Sequence, residues 1–317
     1  MRNISLVILF FLSYSCTSMS QERRDSVINI SDSISCPKDS IITSRLTLLF
    51  AGDLMQHQAQ INAARTSTGY DYSDCFKFVK EEINRADIAI ANLEVTLGGK
   101  PYRGYPAFSA PDEYLFAIRD AGFDVLITAN NHCLDKGKKG LERTLLMLDS
   151  LQIPHAGTYV NTESREQQYP LLLEKNGFRI ALLNYTYGTN GIKVTSPNVV
   201  NYIDKAVMAQ DIEAARAQHP DALIACMHWG DEYQSLPNKE QKNLTDWLLQ
   251  QGVTHIIGSH PHVVQPMELR TDSITGNQHV VVYSLGNFIS NMSARRTGGG
   301  LLFKLELEKD SVTRVAN

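Results

Sequence analysis

Asp53, Glu94, Asn131, His228, His260 and His262 stand at or just past the ends of short apolar runs. Leu46–Ala51 leads into Gly52-Asp53, with His57 four residues after the aspartate. Asp87–Ala91 leads into Asn92-Leu93-Glu94, and Phe123–Thr128 leads into Asn130-Asn131-His132. Asp221–Met227 ends at His228-Trp229-Gly230, and Val253–Ile257 at Gly258-Ser259-His260-Pro261-His262. Imidazole, carboxylate and amide oxygen together suit divalent ions of borderline softness such as Mn, Fe or Zn. One histidine at a strand end is usually a packed or capping residue. Five of the nine histidines at such ends, beside two carboxylates, predict a shared metal site.

The elements that must position these groups are legible in the same pattern. From Arg45 onward short apolar runs alternate with longer amphipathic ones, which predicts an α/β fold. In open α/β sheets, ligands bind beyond the carboxyl ends of the strands, so the five runs should converge on one rim. Apolar residues at helical spacing predict helices over Lys138–Leu151, Asp204–Gln218 and Pro237–Gln251. Pro237 would sit in the first turn of the last of these. Arg179–Tyr185, His279–Tyr283 and Leu301–Leu307 read as strands of a second, partly antiparallel sheet.

The chain of 317 residues is 43% hydrophobic and 20% charged, with a formal net charge of −4. Nothing in that balance points to a nucleic-acid partner. Residues 1–16 carry Arg2 and a largely apolar run from Ile4 to Leu12, too short to span a bilayer, and read as a secretory signal. Leu12–Cys16 resembles a bacterial lipoprotein cleavage box with Cys16 as the lipidated residue, although the large apolar residue stands four positions before the cysteine. The expectation is an exported protein held at the bacterial cell envelope by a lipid anchor. Residues 17–44 read as a polar tether and 45–317 as one domain. Cys133 and Cys226 lie in apolar contexts and read as buried thiols; a Cys36–Cys75 pair has weak support.

The motifs GDLMQHQ, ANLEVTL, ANNHCLDKGKKGLERTLLML, HWGDEY, IGSHPHVVQP and YSLGNF, running from Leu46 to Phe303, resemble the CapA family. These are bacterial capsule and poly-γ-glutamate biosynthesis proteins related to calcineurin-like metallophosphoesterases. The resemblance implies a four-layer α/β/β/α metallophosphatase-like sandwich with two divalent ions. It implies that Asp53 and His262, with His57, hold one ion, that Asn131, His228 and His260 hold the other, and that Glu94 bridges. His132 would protonate a leaving group. Asp135 would orient its ring, or else cap the helix that follows. Arg103 and Tyr105, in a Gly/Pro-rich loop, would contact an anionic capsular polymer. Trp229 and Glu232 would line the cleft or simply pack, and Asn287 would reach substrate. The chain departs from the superfamily's Asp-x-His pattern, because Met55 stands two residues after Asp53. Two roles follow: a metal-dependent hydrolase or transferase acting on the polymer, or a non-catalytic accessory subunit beside synthase or export components.

Overall fold

The structure, a computed structural model, describes residues 40–313. In chain order the strands are β1 (Ser40–Leu54), β2 (Ile88–Leu93), β3 (Val125–Ile127), β4 (His155–Ala156), β5 (Thr158–Tyr159), β6 (Leu171–Lys175) and β7 (Phe178–Thr186). They continue as β8 (Val199–Val200), β9 (Ala222–His228), β10 (His255–Ser259), β11 (Met267–Thr271), β12 (Gln278–Val282), β13 (Asn287–Ile289) and β14 (Phe303–Thr313). The helices are α1 (Gln58–Ala63), α2 (Lys80–Asn84), α3 (Asp112–Asp120), α4 (Gly137–Ser150), α5 (Thr162–Gln168), α6 (Lys205–Ala217) and α7 (Lys239–Gln250).

Two six-stranded sheets form the centre. The first runs β13-β1-β2-β3-β4, with β14 antiparallel to β1 on the flank that β13 takes up at Asp53 and Leu54. The second runs β11-β12-β10-β9-β7-β6. Strands β1 to β4 are parallel, as are β7, β9, β10 and β12.

Period-two alternation explains the layering. Along β1, Leu46, Leu48 and Phe50 face the second sheet, while Leu49 and Ala51 face helices. Along β9, Ala222, Ile224 and Cys226 face the first sheet, and Leu223, Ala225 and Met227 face the opposite way. Both sheets are therefore apolar on both faces and need cover on each. Helices α3 and α4 cover the first sheet with Leu115 and Ile118, and with Leu141, Leu145 and Leu148. Helices α6 and α7 cover the second with Met208, Ile212 and Ala215, and with Leu244 and Leu248. The result is the four-layer α/β/β/α sandwich.

Several local expectations change. Of the stretch Leu301–Leu307, Phe303–Leu307 opens β14 of the first sheet, because its partner is β1 across eleven register pairs from Ser40↔Thr313 to Phe50↔Phe303. β1 begins at Ser40, inside the stretch read as tether. Pro237 precedes the cap of α7 instead of entering its first turn; Asn238 is the cap, accepting from the Gln241 backbone N–H. Cys133 and Cys226 are buried and Cys75 is exposed, while Cys36 and Cys16 lie outside the described residues. No described helix is long and apolar enough to cross a membrane.

Candidate metal centre

The five strand ends meet at one rim, but they come from two sheets. β1, β2 and the segment after β3 bring Asp53, Glu94 and Asn131; β9 and the turn after β10 bring His228, His260 and His262. All six are buried.

Asp53 is placed by an irregularity in β1. Ala51 pairs with Ala91 and Asp53 with Asn92, so Gly52 is an extra residue in the ladder. A Cβ on Gly52 would stand 1.9 Å from the Gly286 carbonyl oxygen, so only glycine lets the strand pass that turn. The Asp53 carboxylate accepts from Asn92 Nδ2 at 2.8 Å and from His262 Nδ1 at 3.1 Å. Burial alone would raise its pKa; the contacts from His262, the charge of His228 and the Asn92 amide overcome that and hold it below the usual carboxylate range.

Glu94 differs sharply. Its Oε2 accepts from Asn92 Nδ2 at 3.3 Å, but its Oε1 is buried with no hydrogen-bond partner. That oxygen lies 3.7 Å from His228 Nε2 and 3.9 Å from His262 Nε2. Burial, and the charge of Asp53 beside it, push the Glu94 pKa well up. An unpaired buried carboxylate oxygen among imidazole nitrogens is costly unless a cation meets it.

Two ligand groups share this residue: Asp53, Glu94 and His228, and Glu94, His260 and His262. Ligands about 2.1 Å from one ion stand roughly 3–3.5 Å apart. His228 Nε2 and Asn131 Oδ1, 2.9 Å apart, have that spacing, which puts Asn131 beside the first group. His260 Nδ1 is a second buried atom without a partner. His262 shares its Nδ1 between Asp53 and Asn287 Oδ1, at 3.1 and 3.0 Å, leaving Nε2 toward Glu94. A carboxylate and an amide on the far nitrogen fix the ring's orientation, as hydrogen-bond acceptors behind metal-bound histidines do. Burial lowers the pKa of His228 and His260, the latter to about 3, so both imidazoles stay neutral and able to ligate. The residue set fits divalent ions.

The backbone here is strained in the same direction. His260 has φ +99° and His262 φ +57°, on either side of Pro261. Left-handed conformations at non-glycine residues persist only where surrounding structure imposes them.

Beside the cluster, His132 Nδ1 lies 2.7 Å from Asp135 Oδ2, and the same oxygen accepts from the Phe108 N–H. Lys136, without a side-chain cap, takes the helix-cap position, so Asp135 is spent on His132. His57 stands apart from both ligand groups. It is the half-buried cap residue of α1, its ring packed on Phe108 at 5.2 Å.

The five residues assigned to substrate meet different surroundings. Trp229 is buried in the core under α7, its Nε1 donating to the Tyr283 carbonyl at 3.0 Å, so it does not line a cleft. Asn287 is buried and used on His262 and the Thr297 carbonyl. Glu232, Arg103 and Tyr105 are exposed, and Arg103 and Ser109 pair across the Gly/Pro-rich loop. Unanticipated residues also join the site. Asn92 and Asn130 tie the three ends of the first sheet together. Phe108 packs on His132 at 4.7 Å, Tyr187 on His260 at 4.5 Å, and Asn190 accepts from Asn131 Nδ2 at 3.2 Å. Asn92 and Asn130 were visible as polar residues at strand ends; the loop holding Tyr187 and Asn190 carried no such signal.

Comparison with known proteins gives a consistent picture. The family described as bacterial capsule synthesis protein PGA_cap matches residues 47–292. The PGA biosynthesis protein CapA of Bacillus subtilis (strain 168) is 29% identical over 279 residues, covering 85% of this chain and 70% of its own length. The capsule biosynthesis protein CapA of Bacillus anthracis is 26% identical over 282 residues, covering 86% of this chain and 66% of its own length. Among solved structures, the Haemophilus influenzae NAD nucleotidase NadN superposes with a TM-score of 0.50 at 14% identity, over 86% of this chain and 55% of that one. This last likeness is one of fold.

Proposed function

The chain belongs to the bacterial capsule synthesis protein family PGA_cap, and on that premise we propose that it is an envelope-anchored, metal-dependent hydrolase or transferase. Its substrate would be an anionic capsular polymer, cut or transferred at an ester or amide linkage. The observation that carries this reading is Glu94, a buried carboxylate common to two ligand groups with one oxygen left unpaired.

Asp53, Glu94 and His228, with Asn131, would hold one divalent ion, and Glu94, His260 and His262 the other; Mn, Fe and Zn all suit these donors. Bound there, such ions supply Lewis-acid polarisation of a phosphoryl or carbonyl oxygen. The protein's own groups do the rest. Asn92 holds Asp53 and Glu94 in place through one amide. Asn287 and Asp53 orient His262. Asp135 fixes the His132 ring through Nδ1 and leaves Nε2 to carry a proton to the leaving group. Arg103 and Glu232, both exposed, would contact the substrate. Cys16 would carry the lipid that holds the domain at the membrane, near synthase or export subunits.

The position of His57 outside both ligand groups favours a second reading, a non-catalytic accessory subunit that keeps the fold and part of the site. Elemental analysis of the purified protein, beside the His260→Ala/His262→Ala variant, separates these readings. Bound transition metal that disappears in a folded double variant supports the hydrolase reading and directs a screen of phosphoesters and γ-glutamyl amides. Equal absence of metal from both folded proteins sinks it. Restoration of capsule in a deletion strain by a Glu94→Gln variant would establish the accessory role instead.

A further inference from the structure

Thr189–Ile192 makes a tight turn in the loop between β7 and β8. The Ile192 N–H donates to the Thr189 carbonyl at 2.9 Å, and the two central residues stand at positive φ, Asn190 at +50° and Gly191 at +75°. Asn-Gly is a pair that such a turn favours for its backbone alone. An asparagine serving only the turn would leave its amide in solvent. Asn190 is exposed, yet its Oδ1 is aimed inward and accepts from Nδ2 of the buried Asn131 at 3.2 Å.

The turn is fastened well enough to aim that oxygen. Thr189 is buried; its Oγ1 donates to the Ile192 carbonyl at 2.6 Å and lies 2.9 Å from the Tyr202 hydroxyl. Upstream, the Tyr187 N–H donates to the His228 carbonyl at 3.0 Å. The loop is thus tied to the strand that ends in one candidate ligand, and its Asn190 side chain reaches another from the opposite sheet.

An amide can face an ion with its oxygen or with its amino group, and only the oxygen has lone pairs to give. Half a turn about the last side-chain bond exchanges the two. In Asn131 two contacts oppose that rotation: His228 Nε2 stands 2.9 Å from Oδ1, and Asn190 holds Nδ2. A neutral ring nitrogen that ligates an ion carries no proton to donate, so the first contact loses its preference once His228 ligates. The hold on Nδ2 then falls to the loop. Asn190 supplies the measured hydrogen bond, and the Tyr187 hydroxyl also acts on this amide.

We propose that Asn190 is a positioning residue, which keeps Asn131 Oδ1 turned toward the group of Asp53, Glu94 and His228 and the amino end turned away. This rests on the functional reading above, in which Asn131 holds an ion. A backbone role in the turn would need the residue type but not its side-chain oxygen, so the two can be separated by substitution.

The test is chelator competition for Mn and for Zn on the full-length protein and its variants, with the thermal midpoint of each metal-free form measured beside it to show that it is folded. Asn190→Gly removes the side chain and keeps the turn, because glycine adopts positive φ freely. Its metal affinity should fall about tenfold, as for other groups that orient a ligand. Asn190→Asp keeps an acceptor and accommodates the same backbone, and should recover most of that loss. In an Asn131→Ala background Asn190→Gly should cost nothing further. Tyr187→Phe should lose less than Asn190→Gly. The role of Asn190 is overturned if a folded Asn190→Gly binds metal as the parent does, if Asn190→Asp loses as much as Asn190→Gly, if the losses of Asn131→Ala and Asn190→Gly add in the double variant, or if Tyr187→Phe loses more. Any of these in a parent that binds metal overturns the role alone. A folded parent that binds neither metal overturns the functional reading and the role with it.

Discussion

The two central sheets contribute different chemistry to the same rim. The first supplies candidate oxygen ligands, Asp53, Glu94 and Asn131; the second supplies only candidate imidazoles, His228, His260 and His262. Each ligand group draws on both, since Glu94 is common to them and the histidines come from across the sandwich. Neither sheet alone holds a complete group. The site is therefore a property of the packed layer between the sheets, where Phe50, Ile90, Ile127, Ile224, Cys226 and Ile257 set the separation. Strand ends stacked on a close-packed layer anchor the short segments that carry the candidate ligands.

The largest expected effect follows from the shared residue. Glu94→Gln keeps the shape but removes the charge common to both groups. Metal affinity should fall at least a hundredfold, read by competition with a chelator. Because the buried oxygen costs the metal-free protein stability, the same variant should not lower the apo melting temperature. A variant that keeps full metal content would break the picture of a bridging carboxylate.

The inter-sheet layer and an outer layer can be set against each other. Ile224→Ala, in the layer between the sheets, and Leu148→Ala, on the inner face of α4, each remove a fully buried side chain. Both should cost about 2–5 kcal/mol in denaturant unfolding. Metal affinity should drop with Ile224→Ala alone. Equal loss of metal in both would mean that general loosening, and not sheet separation, governs the site.

Histidine also serves structure within the second sheet. His255, at the other end of β10, is buried and accepts from the Val280 N–H at 3.1 Å. Burial first, and the neighbouring His279 next, lower its pKa to about 3. A base with a depressed folded pKa loses stability as pH falls below its unfolded value of about 6.5 and on toward the folded one. Acidifying the metal-free protein from pH 7 to pH 5 should cost about 2 kcal/mol through this residue. The His255→Gln variant should show a flatter profile over that interval; an unchanged slope would assign it to other groups.

The smallest effect belongs to Trp229. Trp229→Phe loses one hydrogen bond to the Tyr283 carbonyl, worth about 1 kcal/mol, and should leave metal content untouched. A drop in metal would mean that the residue after His228 positions that ligand after all.

How much of this was legible in the chain depends on distance along it. The sequence by itself determined the alternation of strands and helices, through local hydrophobic periodicity, and which residues stand at strand ends. The turn of His260, Pro261 and His262 and the pairing of His132 with Asp135 three residues on are equally local. Tertiary structure alone decided the partners. Asp53 and His262 meet across 209 residues, and His228 and Asn131 across 97. No periodicity encodes which imidazole faces which carboxylate when two sheets stack. That is why His57 stands aside on Phe108, and why Phe303–Leu307 joined the first sheet. It is also why Trp229 was unreadable: the residue after a ligand points to the opposite face of its strand, and only the cover laid by α7 makes that face core.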